Sequence, residues 1–218
     1  MMQFDAILFD MDGVLIDSEP VHNAKWCEVL KDHDIDIDES SFLRFIGVPD
    51  KEIALEFVSR YGLAKQPEEL IGIKQAKYKD FLESGIHPIP VLTAALKSLN
   101  NYKIGLVTAS CKADAEMVSG RLDIGSLLDV IVGGDEIVNN KPHPDIYLKA
   151  TVKLNVAPDR CIAVEDSHSG ILAAKRAGMY VVAVTNALHH PGLAEADFVC
   201  DNTLQAIEHI KTIAECFK

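Results

Sequence analysis

The chain has 218 residues, 48% hydrophobic and 25% charged, with a formal net charge of -12 at pH 7. That length accommodates one or two domains with a substantial core. The composition is that of a soluble globular protein, the acidity argues against a nucleic-acid surface, and no apolar run reaches membrane-spanning length.

The first predicted element is the apolar run Ala6-Ile7-Leu8-Phe9, which reads as a buried strand. The chain enters it without the basic, apolar and small-residue order of a signal peptide. Asp10 and Asp12 follow, and Gly13 lets the chain turn away. Residues i and i+2 of a strand share a side, so both carboxylates face one site while strand geometry lasts. One carboxylate can attack phosphorus while the other moves a proton. An acidic strand-to-loop turn without chemistry is the plain alternative, and the motif gains its weight from what lies downstream.

From residue 17 to about 85 only helical periodicity is present. Trp26, Val29, Leu30 and His33 share a face, as do Ile53, Phe57 and Tyr61, and then Ile71, Tyr78 and Leu82. Pro67 with Glu68 and Glu69 marks a helix start, and Gly85, Pro88 and Pro90 mark the return to a sheet. An all-helical block inserted after the first strand is read as a lid over that strand's end. The expected division is an α/β core of residues 1–16 and 86–218 and a helical cap of residues 17–85.

Further apolar runs occupy 104–107, 130–132, 161–164, 180–184 and 197–200. They are continuous and do not alternate with polar residues, so both faces are covered. Helical patterns fill the gaps, for example 167–177, closed by Gly178. Strand and helix in alternation predict an α/β fold, a doubly wound parallel sheet with helices on both sides. Ligands in such folds bind beyond the carboxyl ends of the strands.

Three more stretches fall just after these strands. Thr108-Ala109-Ser110 offers a hydroxyl and small-residue amides suited to a phosphate oxygen. Lys141, in Asn140-Lys141-Pro142-His143-Pro144, is held extended by the proline after it and can neutralise a phosphate and an attacking carboxylate. Its plain alternative is a solvated surface lysine. Glu165 and Asp166 suit a hard divalent cation, while Ser167 caps the next helix and Asp166 is alternatively a second capping acid. Together these stretches supply the parts for phosphoryl transfer, where positioning and charge neutralisation dominate.

On these motifs the chain resembles the haloacid dehalogenase superfamily. Phe9-Asp10-Met11-Asp12-Gly13, Thr108, Lys141 and Glu165-Asp166 match its four motifs, and the inserted block resembles its helical cap. Asp17-Ser18-Glu19-Pro20, and Glu165-Asp166-Ser167 with Gly170, resemble the β-phosphoglucomutase-like branch, which includes many sugar-phosphate phosphatases. The resemblance implies a Rossmann-like core, with Asp10 the nucleophile that becomes an aspartyl phosphate. It implies that Asp12 is the acid–base and lends a backbone carbonyl to magnesium, and that Thr108, Ala109 and Lys141 hold the phosphate. It makes Asp166 a magnesium ligand and Glu165 a ligand or a partner of one. Dehalogenases of the superfamily lack the second aspartate, so Asp12 favours phosphate chemistry.

In the mutase, a Gly-Val-x-Arg motif in the cap holds the distal phosphate of a bisphosphate. Here the stretch is Gly47-Val48-Pro49-Asp50, and the acid is expected to repel that phosphate, with Lys51 a partial compensation. Lys74 and His22 match a cap lysine and a hinge histidine of the mutase. His189 and His190 read as a solvated loop and Trp26 as cap core. The expected activity is Mg2+-dependent hydrolysis of a small phosphorylated metabolite, a sugar phosphate, by a monomer with no nucleic-acid or membrane partner. The alternatives are a β-phosphoglucomutase-like isomerase and a phospho-accepting signalling module, which also uses an aspartate, a Thr/Ser, a lysine and magnesium. Cys27, Cys111, Cys161, Cys200 and Cys216 are odd in number and scattered, which argues against zinc and a disulfide framework and fits a reducing cytoplasm.

Overall fold

The computed structural model describes residues 4–38, 41–42, 45, 48, 50–185 and 191–215. Gly47, Pro49, Cys216 and the pair His189 and His190 lie outside the described residues. In chain order, β1 (Ala6–Phe9) leads to α1 (Glu19–Lys31), α2 (Asp50–Tyr61) and α3 (Pro67–Ser84). Then come α4 (Pro90–Lys97), β2 (Lys103–Val107), α5 (Lys112–Arg121), β3 (Val130–Val132) and α6 (Asp145–Leu154). The chain ends with β4 (Cys161–Glu165), α7 (His168–Ala177), β5 (Tyr180–Val184), β6 (Phe198–Cys200) and α8 (Thr203–Glu215). Its contacts divide it into two compact units, Met1–Asp17 with Ile86–Lys218, and Ser18–Gly85.

The first unit is a six-stranded sheet in the order β3-β2-β1-β4-β5-β6. Every neighbouring pair is parallel, with Ile7 aligned to Ile104 on one side and to Ile162 on the other. This is the doubly wound α/β architecture expected from the continuous apolar runs. β1 and β4 are buried throughout because they lie at the centre. Ala6 and Leu8 of β1 join Ile146, Tyr147 and Ala150 of α6 and Ile171 and Ala174 of α7 in one core cluster. Strand alternation turns Ile7 and Phe9 to the opposite face. On burial alone, a Leu or Ile side chain in this core contributes roughly 1.5–3 kcal/mol.

Local signals account for the helix ends. The Ser167 hydroxyl accepts from the Gly170 amide at 3.1 Å and so caps α7, which closes on Gly178 at φ 87°. The prolines at 88 and 90 read as a return to the sheet, yet Pro90 opens α4 before β2 begins. Proline suits a helix's first turn, where its missing N–H is not needed, so the residue type alone does not separate the two outcomes.

The second unit is helical. α1 and α2 both pack on α3. Its core gathers Trp26, Val29, Leu30, Phe42, Phe45, Ile53, Phe57 and Leu70. Phe57 meets Trp26, Phe42 and Phe45 edge-on, with ring centroids 5.5, 5.8 and 5.5 Å away. His33 lies beyond the end of α1, not on its face. No helix among the described residues is long and apolar enough to cross a membrane.

Candidate active site

The strand order reverses between β1 and β4, and their carboxyl ends carry Asp10 and Glu165 with Asp166. A crevice opens at such a switch point because the chain leaves the two central strands toward opposite sides. The Asp10 amide still bonds the Val164 carbonyl at 3.0 Å, one residue past the end of β1. Strand geometry stops there. The Met11 carbonyl accepts from the amides of Leu15 and Ile16 at 2.9 and 3.1 Å, and the Gly13 amide bonds the Ile16 carbonyl at 2.8 Å. Asp12 therefore sits in a tight loop that follows the strand. Gly13 has φ +70°, and a Cβ there would lie 1.7 Å from Asp166 Oδ2. Only glycine lets this loop approach the end of β4 so closely.

Lys141 lies between β3 and α6 and is buried, with its side chain 6% exposed; it is not a solvated surface lysine. Its ammonium donates to Asp10 Oδ1 at 2.9 Å and to Glu165 Oε1 at 2.5 Å. Glu165 Oε1 also accepts from the Tyr147 hydroxyl at 2.7 Å, and Oε2 from the Ser167 hydroxyl at 3.1 Å. A Cβ at position 170 would fall 2.0 Å from the Glu165 carboxyl, so Gly170 is required for that carboxylate to fit. Ser167 thus caps α7 and also holds Glu165.

Thr108 is buried, and its hydroxyl accepts from the Ser110 amide at 3.1 Å, while Ala109 is exposed. Ser110 donates its own hydroxyl to Asp12 Oδ2 at 3.3 Å. The turn after β3 braces this loop. The Gly134 amide bonds the Ser110 carbonyl at 2.8 Å, and a Cβ on Gly134 would lie 2.2 Å from the Ala109 carbonyl oxygen.

Asp10, Glu165 and Asp166 each bring an oxygen within 4.8 Å of the others. One lysine faces three acids, and the electrostatics carry the imprint. Burial, then the charge of Glu165, raises the Asp10 carboxyl to about 7 against the pull of Lys141. Burial, with Asp10 and Glu165, raises Asp166 well above the usual carboxylate range. Burial pushes the Lys141 ammonium down, but Asp10 and Glu165 more than offset it and hold the group above its ordinary value. An acidic, all-oxygen cluster short of positive charge is the donor set that a hard divalent cation such as magnesium takes.

The sequence-predicted residues Asp10, Asp12, Thr108, Ala109, Lys141, Glu165 and Asp166 all belong to the α/β unit. Hydrogen bonds tie Lys141 to Asp10 and Glu165, and Ser110 to Asp12. Tyr147 went unsuspected. It shares the buried side of α6 with Ile146, Ala150, Thr151 and Leu154, and nothing in that local pattern marks a hydroxyl that reaches an acid.

His22, Asp50 and Lys74 belong to the helical unit and meet there. The Lys74 ammonium, on a side chain 4% exposed, lies 2.8 Å from Asp50 Oδ2 and 2.7 Å from His22 Nδ1. The Trp26 indole N–H donates to Asp50 Oδ1 at 3.0 Å, and the His22 ring stacks on Tyr78 with centroids 4.2 Å apart. His22, Trp26, Asp50 and Lys74 line a cavity of about 240 Å³ together with Phe45 and Val48. Asp50 is therefore not a bare acid set to repel a phosphate: Lys74 cancels its charge. Lys51 is exposed, and the compensating cation is Lys74 instead.

Comparison with known proteins fits this geometry. A phosphorylated carbohydrates phosphatase of Thermotoga maritima is 33% identical over 80% of this chain and 82% of its own. The β-phosphoglucomutase of Bacillus subtilis is 33% identical over 82% of each chain. The crystal structure of a putative β-phosphoglucomutase from Thermotoga maritima superposes with a TM-score of 0.80 at 29% identity, covering 96% of this chain and 100% of that one. Each of these relatives is named for an enzyme. Residues 7–184 match the family described as haloacid dehalogenase-like hydrolase, and the chain is an enzyme belonging to that family.

Proposed function

We propose that this hydrolase acts on a small phosphate monoester, a sugar phosphate, through a covalent intermediate on Asp10. The carrying observation is the cluster at the β1–β4 switch point, where buried carboxylates share a single lysine beside the Thr108 loop. An Asp10 oxygen attacks phosphorus, and the ester P–O bond breaks with its electron pair passing to the leaving oxygen. Asp12 gives that oxygen a proton, then takes one from the water that attacks the aspartyl phosphate. Inorganic phosphate leaves and Asp10 is restored. Lys141 offsets charge on Asp10 and on the phosphoryl oxygens, and Thr108 with the Ala109 amide holds those oxygens. Asp10, Asp166 and the Asp12 carbonyl, with Glu165 beside them, would hold magnesium, which when bound supplies further neutralisation of the phosphate.

Hydrolysis is favoured over the mutase reaction because a mutase must grip a second phosphate. In the helical unit the lysine at hand is already paired with Asp50. We assign His22, Asp50 and Lys74 to recognition of the neutral end of the substrate. The described cysteines, Cys27, Cys111, Cys161 and Cys200, are all free thiols, which suits a reducing cytoplasm.

The test is a panel of sugar and polyol phosphates with Mg2+, scored for released phosphate. β-Glucose 1-phosphate with a trace of β-glucose 1,6-bisphosphate is assayed in parallel for glucose 6-phosphate. Phosphate release from monophosphates is expected. Glucose 6-phosphate formation faster than phosphate release from any monophosphate would replace this reading with the mutase.

A further inference from the structure

Tyr147 has no part in the chemistry set out above, yet its hydroxyl is buried within that network. Its ring lies in the core under β1 and α7, and its hydroxyl donates to the same Glu165 oxygen that Lys141 uses. The Lys141 ammonium also stands 5.5 Å from the centre of the Tyr147 ring. A tyrosine with only a packing role needs neither arrangement, and phenylalanine would fill the same volume.

We propose that Tyr147 is a positioning residue that sets how the Lys141 ammonium is shared between Asp10 and Glu165. The reasoning is electrostatic. Glu165 Oε1 receives a charged donor at 2.5 Å and a neutral one at 2.7 Å, while Oε2 faces the Ser167 hydroxyl. Each donor to Glu165 lowers the demand of that carboxylate for the next. Without the tyrosine hydroxyl, a fully buried carboxylate loses a partner and competes more strongly for the Lys141 ammonium, turning it away from Asp10. Asp10, on the other side of the same ammonium, then loses part of its cation. The ring face limits where the ammonium can go and keeps it between the two acids. The consequence rests on the phosphatase reading, since the ammonium withdrawn from Asp10 is also withdrawn from the phosphoryl oxygens.

Tyr147→Phe keeps the ring and removes only the hydroxyl. On p-nitrophenyl phosphate with saturating Mg2+, kcat is expected to fall about tenfold with KM changed less than about twofold. Ile146→Val, the adjacent core position, controls for loosened packing: it should lower the melting temperature and leave kcat alone. In crystals of Tyr147→Phe the ammonium should lie farther from Asp10 than in the wild type. An unchanged kcat overturns the proposal, as does an equal fall in kcat in Ile146→Val at a matched loss of melting temperature. If the wild type releases no phosphate from any ester, the phosphatase reading fails. The position of the Lys141 ammonium in the two crystal structures then decides this inference alone, and an unmoved ammonium rejects it.

Discussion

Each unit of this protein buries a lysine, and the difference between the two sites shows what each is suited to hold. Lys141 in the α/β unit sits between two carboxylates whose side chains are 9% and 0% exposed, with Asp166 beside them. Lys74 in the helical unit sits between one carboxylate, 32% exposed, and a histidine ring. The first site keeps acid in excess and lifts the Asp10 carboxyl to about 7. The second pairs one acid with one cation. A buried lysine is thus not a uniform sign of anion binding. What it offers a ligand depends on how many acids already claim it.

The largest expected effect comes from removing Asp10, the carboxylate proposed to attack phosphorus in the first site. Asp10→Asn should reduce turnover to background, because an amide is a far poorer nucleophile. Fast quench or trapping with a phosphate mimic, read by intact mass, should place the adduct on Asp10 in the wild type. Full activity in the variant would show that the acid excess has some other purpose.

Next comes Asp12→Ala, expected to lower kcat on an alkyl phosphate by about 10²–10⁴-fold. Wild-type turnover would reduce Asp12 to a turn residue held by Ser110. Chelation belongs with this test. EDTA should silence the enzyme, and Mg2+ should both restore activity and raise the melting temperature, since a cation relieves the crowded acids. Activity that survives exhaustive chelation counts against the metal site.

The two lysines can be compared directly by stability. Lys141→Met strands buried carboxylates and should cost about 3–5 kcal/mol in urea unfolding without Mg2+. Lys74→Met leaves a partly exposed Asp50 still held by Trp26 and should cost less, about 1–3 kcal/mol. The reverse order would mean that the helical unit carries the more strained charge. In activity, Lys74→Met should shift preference among monophosphates, while Lys141→Met should depress all of them.

The smallest effect belongs to an ion pair outside both sites, which is the baseline for them. Arg160 bonds Asp5 through Nε and, at 2.6 Å, through Nη2, with both side chains well exposed. The hydrogen bond from Arg160, opposed by slight burial, holds the Asp5 carboxyl below its ordinary 3.8. A lowered acid stabilises the fold above the unfolded value and loses that contribution as pH falls through the native one. Arg160→Met should therefore cost little at neutral pH, and that cost should shrink progressively as the pH falls below 3.8. A loss that grows on acidification would contradict the pairing.

Strand-end acids and apolar runs were legible because they follow local rules. Burial on both faces demands unbroken hydrophobics; Asp10 and Thr108 directly follow such runs and Glu165 closes one, while Lys141 comes from the longer connection between β3 and α6. The helical block was legible from its period, and Gly178 from the left-handed cap it supplies. Less legible was whatever depends on a partner far along the chain. Asp50 read as a repulsive charge because its compensating lysine lies 24 residues on. Tyr147 was not singled out because its hydroxyl bonds an acid 18 residues away.

Residue order by itself determined the doubly wound sheet, the inserted helices and the chemical types gathered at the strand ends, since periodicity and turn residues act over a few positions. Tertiary structure alone decided the charge state of the sites. Whether a buried lysine is shared among several acids or paired with one depends on distances of about 3 Å between groups far apart in sequence. Coulomb energy in a poorly solvated interior changes steeply over such distances, while the sequence records only that the charges exist.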